Sequence, residues 1–206
     1  FERERQAATG PGLAEAHWHA STDEPVRAMK QLAWGADLLL LAQHDPDPKA
    51  YAGVTPDFAA AVLIDSGKPA LVMPYVGAGP SLGQTVLVAW KPTAESARAV
   101  TAALPLLQRA QKVYVTVWDE ATEPDTPPPA VAIEPYLRSH GIAPIVHRGG
   151  RAGHDLGGLL LSLAADLQAD LLVMGCYGHG RAREWLLGGV TRSVLQSMTL
   201  PVLMAH

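Results

Sequence analysis

Short apolar runs that alternate with helix-like stretches constrain the fold of this chain more than any other feature. The runs are apolar at nearly every position, which is typical of parallel strands covered on both faces by helices. They are LLLLA at 38–42, ALVMP at 70–74, TVLVAW at 85–90, VYVTVW at 113–118, LLVMG at 171–175 and VLMA at 202–205. Helix-like stretches lie between them, notably at 94–110, 129–140, 154–168 and 189–198. We therefore predict an α/β fold with right-handed crossovers and doubly wound parallel sheets.

The chain also contains an internal repeat. Residues 25–43 align with 157–175 at an offset of about 133 positions. In each copy a helix-like stretch leads into an Ala-Asp pair and then into a continuous apolar run. Residues 67–75 align with 199–206 at nearly the same offset, where a proline enters a short apolar strand in both copies. Two matches at one offset indicate a duplication.

The repeat divides the chain into two doubly wound parallel-sheet domains. Residues 1–76 are predicted to form the C-terminal part of a first, degenerate domain, 77–83 a linker rich in glycine and proline, and 84–206 a complete second domain. The third strand of the first domain is expected near 14–19. The repeat predicts that its first two strands and first helix lie in about fifty residues before Phe1.

Charge and composition argue against several classes of partner. Lysine and arginine number 16 against 20 acids, a net charge of −4, and no basic run suited to a nucleic-acid groove is present. No apolar run approaches the ~18 residues that a membrane helix needs. The single cysteine, Cys176, cannot form an internal disulfide, and no charged-then-apolar leader is visible. We therefore expect a cytoplasmic protein that binds neither nucleic acid nor membrane.

A glycine-rich stretch follows the run at 171–175, where open α/β sheets bind their ligands. Glycine lacks the Cβ that keeps a phosphate chain away from the backbone N–H groups. The start of the last helix favours an anion, and a threonine hydroxyl adds a donor there. The residues concerned are Gly175, Gly178, Gly180, Gly188, Gly189 and Thr191. The pattern predicts a phosphate-binding loop, with ordinary turn glycines as the alternative.

The spacing of these glycines resembles the universal stress protein family. That family has a glycine, two residues, a second glycine, nine residues, and then a glycine followed by serine or threonine. Gly175, Gly178 and Gly188 have the same gaps, and VTRSVLQSMTLPVLMAH at 190–206 is similar to the family's closing helix and strand. The resemblance covers 84–206 and, more weakly, the residues before the linker. It implies the adenine-nucleotide alpha-hydrolase-like fold, with strand order 3-2-1-4-5 in each domain.

The resemblance implies one nucleotide site, in the second domain. The ligand is ATP, or ADP or AMP in its place, and Mg²⁺ can accompany ATP. Adenine and ribose are expected against Ala89, Lys91, Val117 and Met174. Contacts from the loop and the last helix are expected from Gly175, Tyr177, Gly178, Gly180, Gly188, Gly189, Val190 and Thr191.

Two residues depart from the family pattern. Lys91, in VAWKPT, stands where the family usually has an acid. The carboxylate that would recognise the ribose is therefore absent, and an ammonium group is present that can pair with phosphate. Gly189 stands where serine or threonine is usual, which removes one hydroxyl contact. The matching segment of the first domain, 42–58, has Gly53 alone among prolines and aspartates. Because its acids would repel phosphate, we expect that site to be empty.

Three functions are compatible with these features. The first is a nucleotide-sensing regulatory protein of the stress-protein class, in which ATP occupancy alters contacts with unidentified protein partners. The second is a nucleotide-free interaction module that acts through its fold and dimer surface. The third, an enzyme of the related adenine-binding α/β group, is disfavoured because there is no Walker lysine motif. We expect no catalytic residue and no resident metal.

The strands that end the two predicted domains have hydrophobic edges. They are ALVMP at 70–74 and VLMA at 202–205. Exposed edges of this composition invite pairing. We predict that the two strands pair within the chain or mediate self-association.

Overall fold

A computed structural model describes residues 17–47, 54–119, 130–151, 155–176 and 189–206. Within these ranges the helices are α1 (Pro25–Ala33), α2 (Phe58–Ser66), α3 (Ala94–Leu107), α4 (Ala130–Ser139), α5 (Leu156–Asp166) and α6 (Gly189–Ser197). The strands are β1 (Leu39–Ala42), β2 (Ala70–Met73), β3 (Thr85–Ala89), β4 (Lys112–Asp119), β5 (Pro144–Arg151), β6 (Leu171–Gly175) and β7 (Val202–Ala205). The predicted alternation of strands and helices is confirmed.

Local side-chain chemistry explains where several helices begin and end. Glu24 precedes α1, and its carboxylate accepts hydrogen bonds from Val26 N at 3.0 Å and Arg27 N at 2.9 Å. Thr93 precedes α3, and its hydroxyl accepts a backbone N–H of the first turn at 3.4 Å. These bonds satisfy donors that have no carbonyl partner within the helix. Helix α2 ends at Gly67, whose φ of 65° lies in the left-handed region that favours glycine.

The strands form one seven-stranded sheet in the order β1-β2-β7-β6-β3-β4-β5. Over residues 84–206 the order is therefore β5-β4-β3-β6-β7, which is the predicted order 3-2-1-4-5. Neighbouring strands run parallel except β2 and β7, which run antiparallel. The doubly wound α/β class predicted from the sequence is thus confirmed.

The antiparallel contact between β2 and β7 follows the symmetry of the internal repeat. Leu71 lies opposite Leu203, and the flanking pairs continue the register on both sides. Leu71 and Leu203 are also equivalent residues of the repeat, 132 positions apart. A local twofold axis therefore passes between them. The pairing expected between 70–74 and 202–205 is present within the chain.

Hydrogen bonds inside each strand pair repeat at the same offset. Leu39 N donates to Pro69 O at 3.0 Å, and the equivalent Leu172 N donates to Pro201 O at 3.0 Å. In each copy a proline carbonyl just before one strand accepts an N–H from the start of the neighbouring strand. The β1-β2 and β6-β7 pairs are therefore built alike.

Two hydrophobic layers enclose the sheet. On one face, the α3 side, Val88 and Val173 pack with residues of α3 and α4. On the other face, the α6 side, Leu87 and Leu172 pack with residues of α1, α2, α5 and α6. Because successive strand residues point to opposite faces, both layers draw on the same strands. This two-sided burial explains why the strands are apolar at nearly every position.

One predicted strand is absent from the described residues. The repeat placed a strand near 14–19, but 17–20 have irregular, exposed backbone, and 14–16 lie outside the described residues. A strand needs a hydrogen-bonded neighbour, and no described strand lies beside 17–20. Helix α3 also ends at Leu107 rather than 110. Across the described residues, no helix has both the length and the apolar character needed to cross a membrane.

Candidate functional site

The strand order reverses between β3 and β6, at the carboxyl edge of the sheet. β3 pairs with β4 on one side and with β6 on the other, and Ala89 lies beside Met174 near the ends of β3 and β6. The chain leaves these two strand ends in opposite directions, which opens a crevice of the kind that binds ligands in open α/β sheets. The crevice is where the glycine pattern led us to expect a ligand.

Small and apolar groups lie at this crevice on the α6 side. Ala89 is partly exposed, although its neighbours in the sheet, Met174 and Thr116, are 5% and 0% exposed. Val190, in the first turn of α6, packs against the same hydrophobic cluster as Ala89 and Met174. The small side chain of Ala89 therefore leaves room at the end of β3 between two well-buried neighbours.

Two buried polar atoms near the end of β4 have no hydrogen-bond partner among the described residues. They are the Thr116 hydroxyl and the Trp118 indole N–H. Both side chains share a face with Tyr114, which packs on the α6 side, because residues two apart in a strand point the same way. A buried polar group left unpaired costs about 1–3 kcal/mol. Such atoms fit a polar ligand at this edge of the sheet.

Helix α6 offers backbone N–H groups at the same edge, because it runs from the end of β6 back to the start of β7. Gly188, which precedes it, has no side chain with which to cap it. A Cβ on Gly189, the first residue of the helix, would meet no atom of the described residues within 4 Å. Thr191 is 3% exposed and belongs to the same turn. The start of α6 therefore has the chemistry of an anion site.

The starts of α3 and α5, which lie at this edge too, are already capped. Thr93 caps α3. The Asp155 carboxylate caps α5 by accepting from Gly158 N at 2.9 Å, and it also accepts from the Ser193 hydroxyl of α6 at 3.3 Å. Of these three helix starts, α6 is the one for which no capping side chain is found among the described residues.

Gly175, at the end of β6, is in close contact with the start of α3. A Cβ on Gly175 would lie 2.5 Å from Ser96 N and 2.8 Å from Glu95 C, both backbone atoms. The absence of a side chain thus lets α3 pack directly on the end of β6. This contact gives Gly175 a structural reason to be glycine, independent of any phosphate.

The ionisable groups beside this contact have shifted pKa values. A hydrogen bond from its own backbone N–H, together with the Thr93 hydroxyl and the Arg98 charge, holds the pKa of Glu95 below its ordinary value. Arg98 Nη2 lies 3.6 Å from Glu95 Oε1. Burial raises the pKa of the Cys176 thiol to about 12, and the negative charge of Glu95 adds to this effect. Glu95 is therefore a carboxylate and Cys176 a neutral thiol at neutral pH.

The structure brings some of the predicted site residues together and not others. Met174 belongs to the hydrophobic layer on the α6 side, and Ala89 and Val190 pack against that layer. Thr191 is buried in the first turn of α6, Gly175 ends β6 and Gly189 begins α6. The Val117 side chain packs in the core on the α3 side. The residues predicted to contact adenine and ribose therefore lie on both faces of the sheet instead of one. Lys91 lies two residues beyond β3 and is half-buried. The other predicted residues, Tyr177, Gly178, Gly180 and Gly188, lie outside the described residues.

Sequence reasoning missed two residues at this edge: Thr116 and Asp155. The signal for Thr116 was a single polar residue inside the apolar run at 113–118. Asp155 stands three residues before Gly158, the usual distance from a capping side chain to the N–H it accepts.

One sequence pattern before the start of β3, away from this edge, has no catalytic context. Gly79, Ser81 and Gly83 match the Gly-x-Ser-x-Gly form of a nucleophile elbow. That elbow needs a strand before the serine and a helix after it, whereas Ser81 lies in irregular chain that leads into β3. Among the described residues, no three His, Cys, Asp or Glu side chains are grouped so that they could hold a metal ion.

A groove of about 360 Å³ lies away from the crevice, on the α3 side. It runs between α3 and the turn that precedes β2, and its lining includes Lys68, Arg98 and Thr101. It shares none of the residues predicted to bind nucleotide.

Comparison with known proteins agrees with this architecture. The model of the universal stress protein family matches residues 83–206, which is more than half of the chain. A universal stress protein from Archaeoglobus fulgidus DSM 4304 has a similar fold, with a TM-score of 0.70 and 18% identity over 98% of this chain and 76% of that one. A functionally unknown protein from Pseudomonas aeruginosa PAO1 gives a TM-score of 0.66 and 18% identity over 98% of this chain and 75% of that one.

A third solved structure is a universal stress protein in complex with cAMP. It is 23% identical over 60% of this chain and 97% of its own, with a TM-score of 0.44, which is too distant to transfer a ligand. No curated protein sequence matches the chain. The family match over 83–206 and the strand order found there lead to one assignment: this chain belongs to the universal stress protein family.

Proposed function

We propose that this chain is a nucleotide-sensing regulatory protein with one adenine-nucleotide site, at the crevice between β3 and β6. ATP is the proposed ligand, with ADP or AMP in its place, and Mg²⁺ accompanies the triphosphate. The observation that carries the proposal is the coincidence of two features at one edge of the sheet. These are the buried polar atoms of Thr116 and Trp118, which have no partner among the described residues, and the start of α6, for which the described residues supply no capping side chain.

Each part of a nucleotide has a matching group at this edge. Hydrogen-bonding groups of the base match the Thr116 hydroxyl and the Trp118 N–H, and its apolar faces match Ala89 and Met174. The phosphates match the N–H groups at the start of α6. β4 and β6 are two strand spacings apart, about 10 Å. A nucleoside phosphate can bridge that span.

The proposed role is regulatory rather than catalytic. Catalysis of phosphate transfer needs a carboxylate that is available to a metal ion or a proton. The carboxylates of Glu95 and Asp155, near this edge, already accept hydrogen bonds from Thr93, Gly158 and Ser193. We therefore assign binding itself as the signal, with occupancy changing how the carboxyl edge meets partner proteins.

Two observations favour a nucleotide-free interaction module as the second candidate. The contact between Gly175 and α3 explains that glycine without any phosphate. Lys91 replaces the acid that the family usually has at the end of its first strand. In this case the chain keeps the fold and contacts partner proteins through its surface without binding a nucleotide.

Backbone-amide NMR during titration with ATP distinguishes the two candidates. We expect the signals of Ala89, Met174 and Thr191 and the Trp118 indole N–H to shift in a saturable way. The signals of β1, which lies at the far edge of the sheet, should not move. Shifts confined to exposed loops, or no saturable shift at all, would support the interaction module.

Matched variants test the assignment to α6. Thr191→Val removes a hydroxyl from the first turn of α6 at nearly constant volume, and we expect it to weaken ATP binding at least threefold. Thr101→Val removes a hydroxyl from the exposed surface of α3 and should leave ATP affinity unchanged. Equal affinities for the parent and both variants would place the ligand elsewhere.

A further inference from the structure

Gln43, which follows β1, is a buried polar residue whose backbone N–H and both ends of whose side-chain amide are hydrogen-bonded. It is 2% exposed. Its backbone N–H donates to Met73 O at 2.8 Å, and its side-chain oxygen Oε1 accepts from Tyr75 N at 3.1 Å. Its side-chain nitrogen Nε2 donates to Leu195 O of α6 at 3.0 Å. The side chain therefore joins the ends of β1 and β2 to a helix that lies 152 positions further along the chain.

The orientation of this amide is fixed by its two neighbours. A backbone N–H only donates and a carbonyl only accepts, so the amide oxygen faces Tyr75 and the amide NH₂ faces Leu195. The opposite orientation would place donor against donor and acceptor against acceptor. Because the side chain is buried, water does not replace a lost partner there. The contact with α6 therefore requires a hydrogen-bond donor at position 43.

This bond caps the C-terminal end of α6. Leu195 O is one of the last four carbonyls of the helix, which a helix cannot satisfy internally. Met198 N donates to Val194 O at 2.8 Å, one carbonyl earlier, and Gln43 supplies the donor for the next. The positive end of the amide N–H also faces the negative end of the helix dipole. Helix α6 is thus closed by a side chain from the first copy of the repeat.

The equivalent helix of the repeat, α2, ends differently. Gln43 N donates to the last residue of β2 and Cys176 N donates to the last residue of β7, at 2.8 and 2.9 Å, so Cys176 is the equivalent of Gln43. A thiol is a weak donor and does not hold a carbonyl as an amide does. Helix α2 ends instead at Gly67, in the left-handed conformation. Among the described residues, an amide from the other copy is found at the end of α6 and not at the end of α2.

The helix that Gln43 caps is the one proposed to bind the phosphates. It has nine residues and is therefore about 13 Å long. After its first residue, Gly189, it contains neither glycine nor proline at which it could bend. A helix this short moves as one body, so a displacement of its end at Leu195 also displaces the N–H groups at its start. The bond to Gln43 therefore bears on the geometry of the anion site.

We propose that Gln43 is a positioning residue for the anion site, through which the first copy of the repeat fixes α6. The inference rests on the proposed nucleotide site and adds a residue that does not touch the ligand. Gln43 lies at the opposite end of α6 from the phosphates and acts through the helix. The first copy, whose own segment at 42–58 is expected to bind no nucleotide, thus contributes to the nucleotide affinity of the second.

Gln43→Met tests the proposal, because it removes the amide and keeps the length of the side chain. We expect it to weaken ATP binding about fivefold or more in an NMR titration. Adenosine, which has no phosphate to meet α6, should bind with nearly unchanged affinity. Equal weakening of both ligands would show a general loss of structure and overturn the positioning role. ATP affinity equal to that of the parent would overturn it as well.

Gln108→Met is the matched control for this variant. Gln108 Nε2 donates to His140 O at 3.2 Å, just after the end of α4, so the change also removes an amide-to-carbonyl bond at a helix end. The bond lies away from α6. We expect the affinities for ATP and adenosine to stay at the values of the parent. A loss of ATP affinity as large as that of Gln43→Met would overturn the specific role of Gln43.

Amide hydrogen exchange without nucleotide separates this proposal from the nucleotide site itself. The amides of Ser193 and Val194 bond to the first residues of α6. We expect Gln43→Met to speed their exchange about fivefold or more, while exchange at Leu87 in central β3 stays unchanged. Faster exchange at Met198 alone would show a local cap that does not position the helix start, and would overturn the proposal. If the parent binds no ATP, the proposed function fails, and these rates still decide whether Gln43 positions α6.

A measurement on the parent chain keeps the proposal testable if Gln43→Met does not fold. NMR detects a scalar coupling across a hydrogen bond, here between Gln43 Nε2 and the carbonyl carbon of Leu195, and we expect that coupling to be present. ATP should also shift the Gln43 side-chain NH₂ signals in a saturable way, because coupling between two sites is reciprocal. Absence of the scalar coupling, or an unmoved Gln43 signal while Thr191 shifts, would overturn the proposal.

Discussion

Gly175→Ala tests the contact that joins the end of β6 to the start of α3. The added methyl group would lie 2.5 Å from Ser96 N and 2.8 Å from Glu95 C. Both are backbone atoms of a helix whose first turn is buried at Ser96, so no side chain can rotate away. The helix start itself must shift by about 1 Å to restore a normal contact distance.

The expected loss of stability follows from this geometry. Inserting a methyl group into a well-packed site costs about 1–3 kcal/mol. Weakening the cap between Thr93 and Ser96 adds to that loss, while the smaller entropy of the unfolded alanine chain offsets about 0.4–1 kcal/mol. We expect a net destabilisation of ~2 kcal/mol. With a urea dependence of about 2 kcal/mol per molar, the unfolding midpoint falls by about 1 M.

Urea unfolding without nucleotide measures this loss apart from any ligand. Gly189→Ala is the matched control, because a Cβ there meets no atom within 4 Å. Its midpoint should equal or exceed that of the parent. If Gly175→Ala unfolds at the same urea concentration as the parent, the close contact with α3 does not exist and the packing explanation for Gly175 is wrong.

Further predictions concern stability, reactivity and binding. Asp170→Asn should lose about 1–3 kcal/mol in urea unfolding, because one of two N–H groups at the start of β3 loses its acceptor and faces an amide NH₂, and an unchanged midpoint would contradict that bond pair. Cys176 should react with a thiol reagent at pH 8 only as fast as the chain unfolds, since its pKa is raised to about 12, and rapid labelling of the folded chain would show that it is not buried. Ionised Glu95 stabilises the fold above the pKa of an unfolded glutamate, and this contribution disappears as pH falls through the lowered folded pKa. Glu95→Gln should therefore lose less of its free energy of unfolding than the parent as the pH falls below about 5. A pH dependence of urea unfolding identical to that of the parent would refute this prediction. Gly178→Val should abolish ATP binding in calorimetry, because a side chain would occupy the predicted phosphate path, while unfolding stays cooperative. ATP binding as tight as the parent's would show that the phosphates do not pass Gly178.

The sequence predicted the strands well, because strand length, apolar composition and the repeat offset all carry that information, whereas their order was implied by the resemblance to the universal stress protein family. The run at 171–175 and the run at 202–205 correspond closely to β6 and β7. The repeat also predicted the pairing of β2 with β7, since equivalent edges can meet around a twofold axis. The strand expected near 14–19 was wrong over 17–19, because pairing with a neighbour, not propensity alone, decides whether a short segment is a strand.

The details of the site were harder to predict for a physical reason. Val117 and Thr116 are successive residues of β4 and so point to opposite faces, but the sequence does not tell which of the two faces a ligand would meet. The close approach of α3 to Gly175 depends on where a distant helix begins, which no local pattern reveals. The capping of α5 by Asp155, by contrast, was readable from spacing.

The central claim is that the chain binds one adenine nucleotide at the carboxyl edge of 84–206, and calorimetric titration with ATP tests it most directly. We predict a single site per chain with a dissociation constant below about 1 mM, or about −4 kcal/mol. Two sites per chain would contradict the assignment to the second predicted domain alone. No heat at millimolar ATP, with Mg²⁺ present, would contradict nucleotide sensing and leave the interaction module as the function.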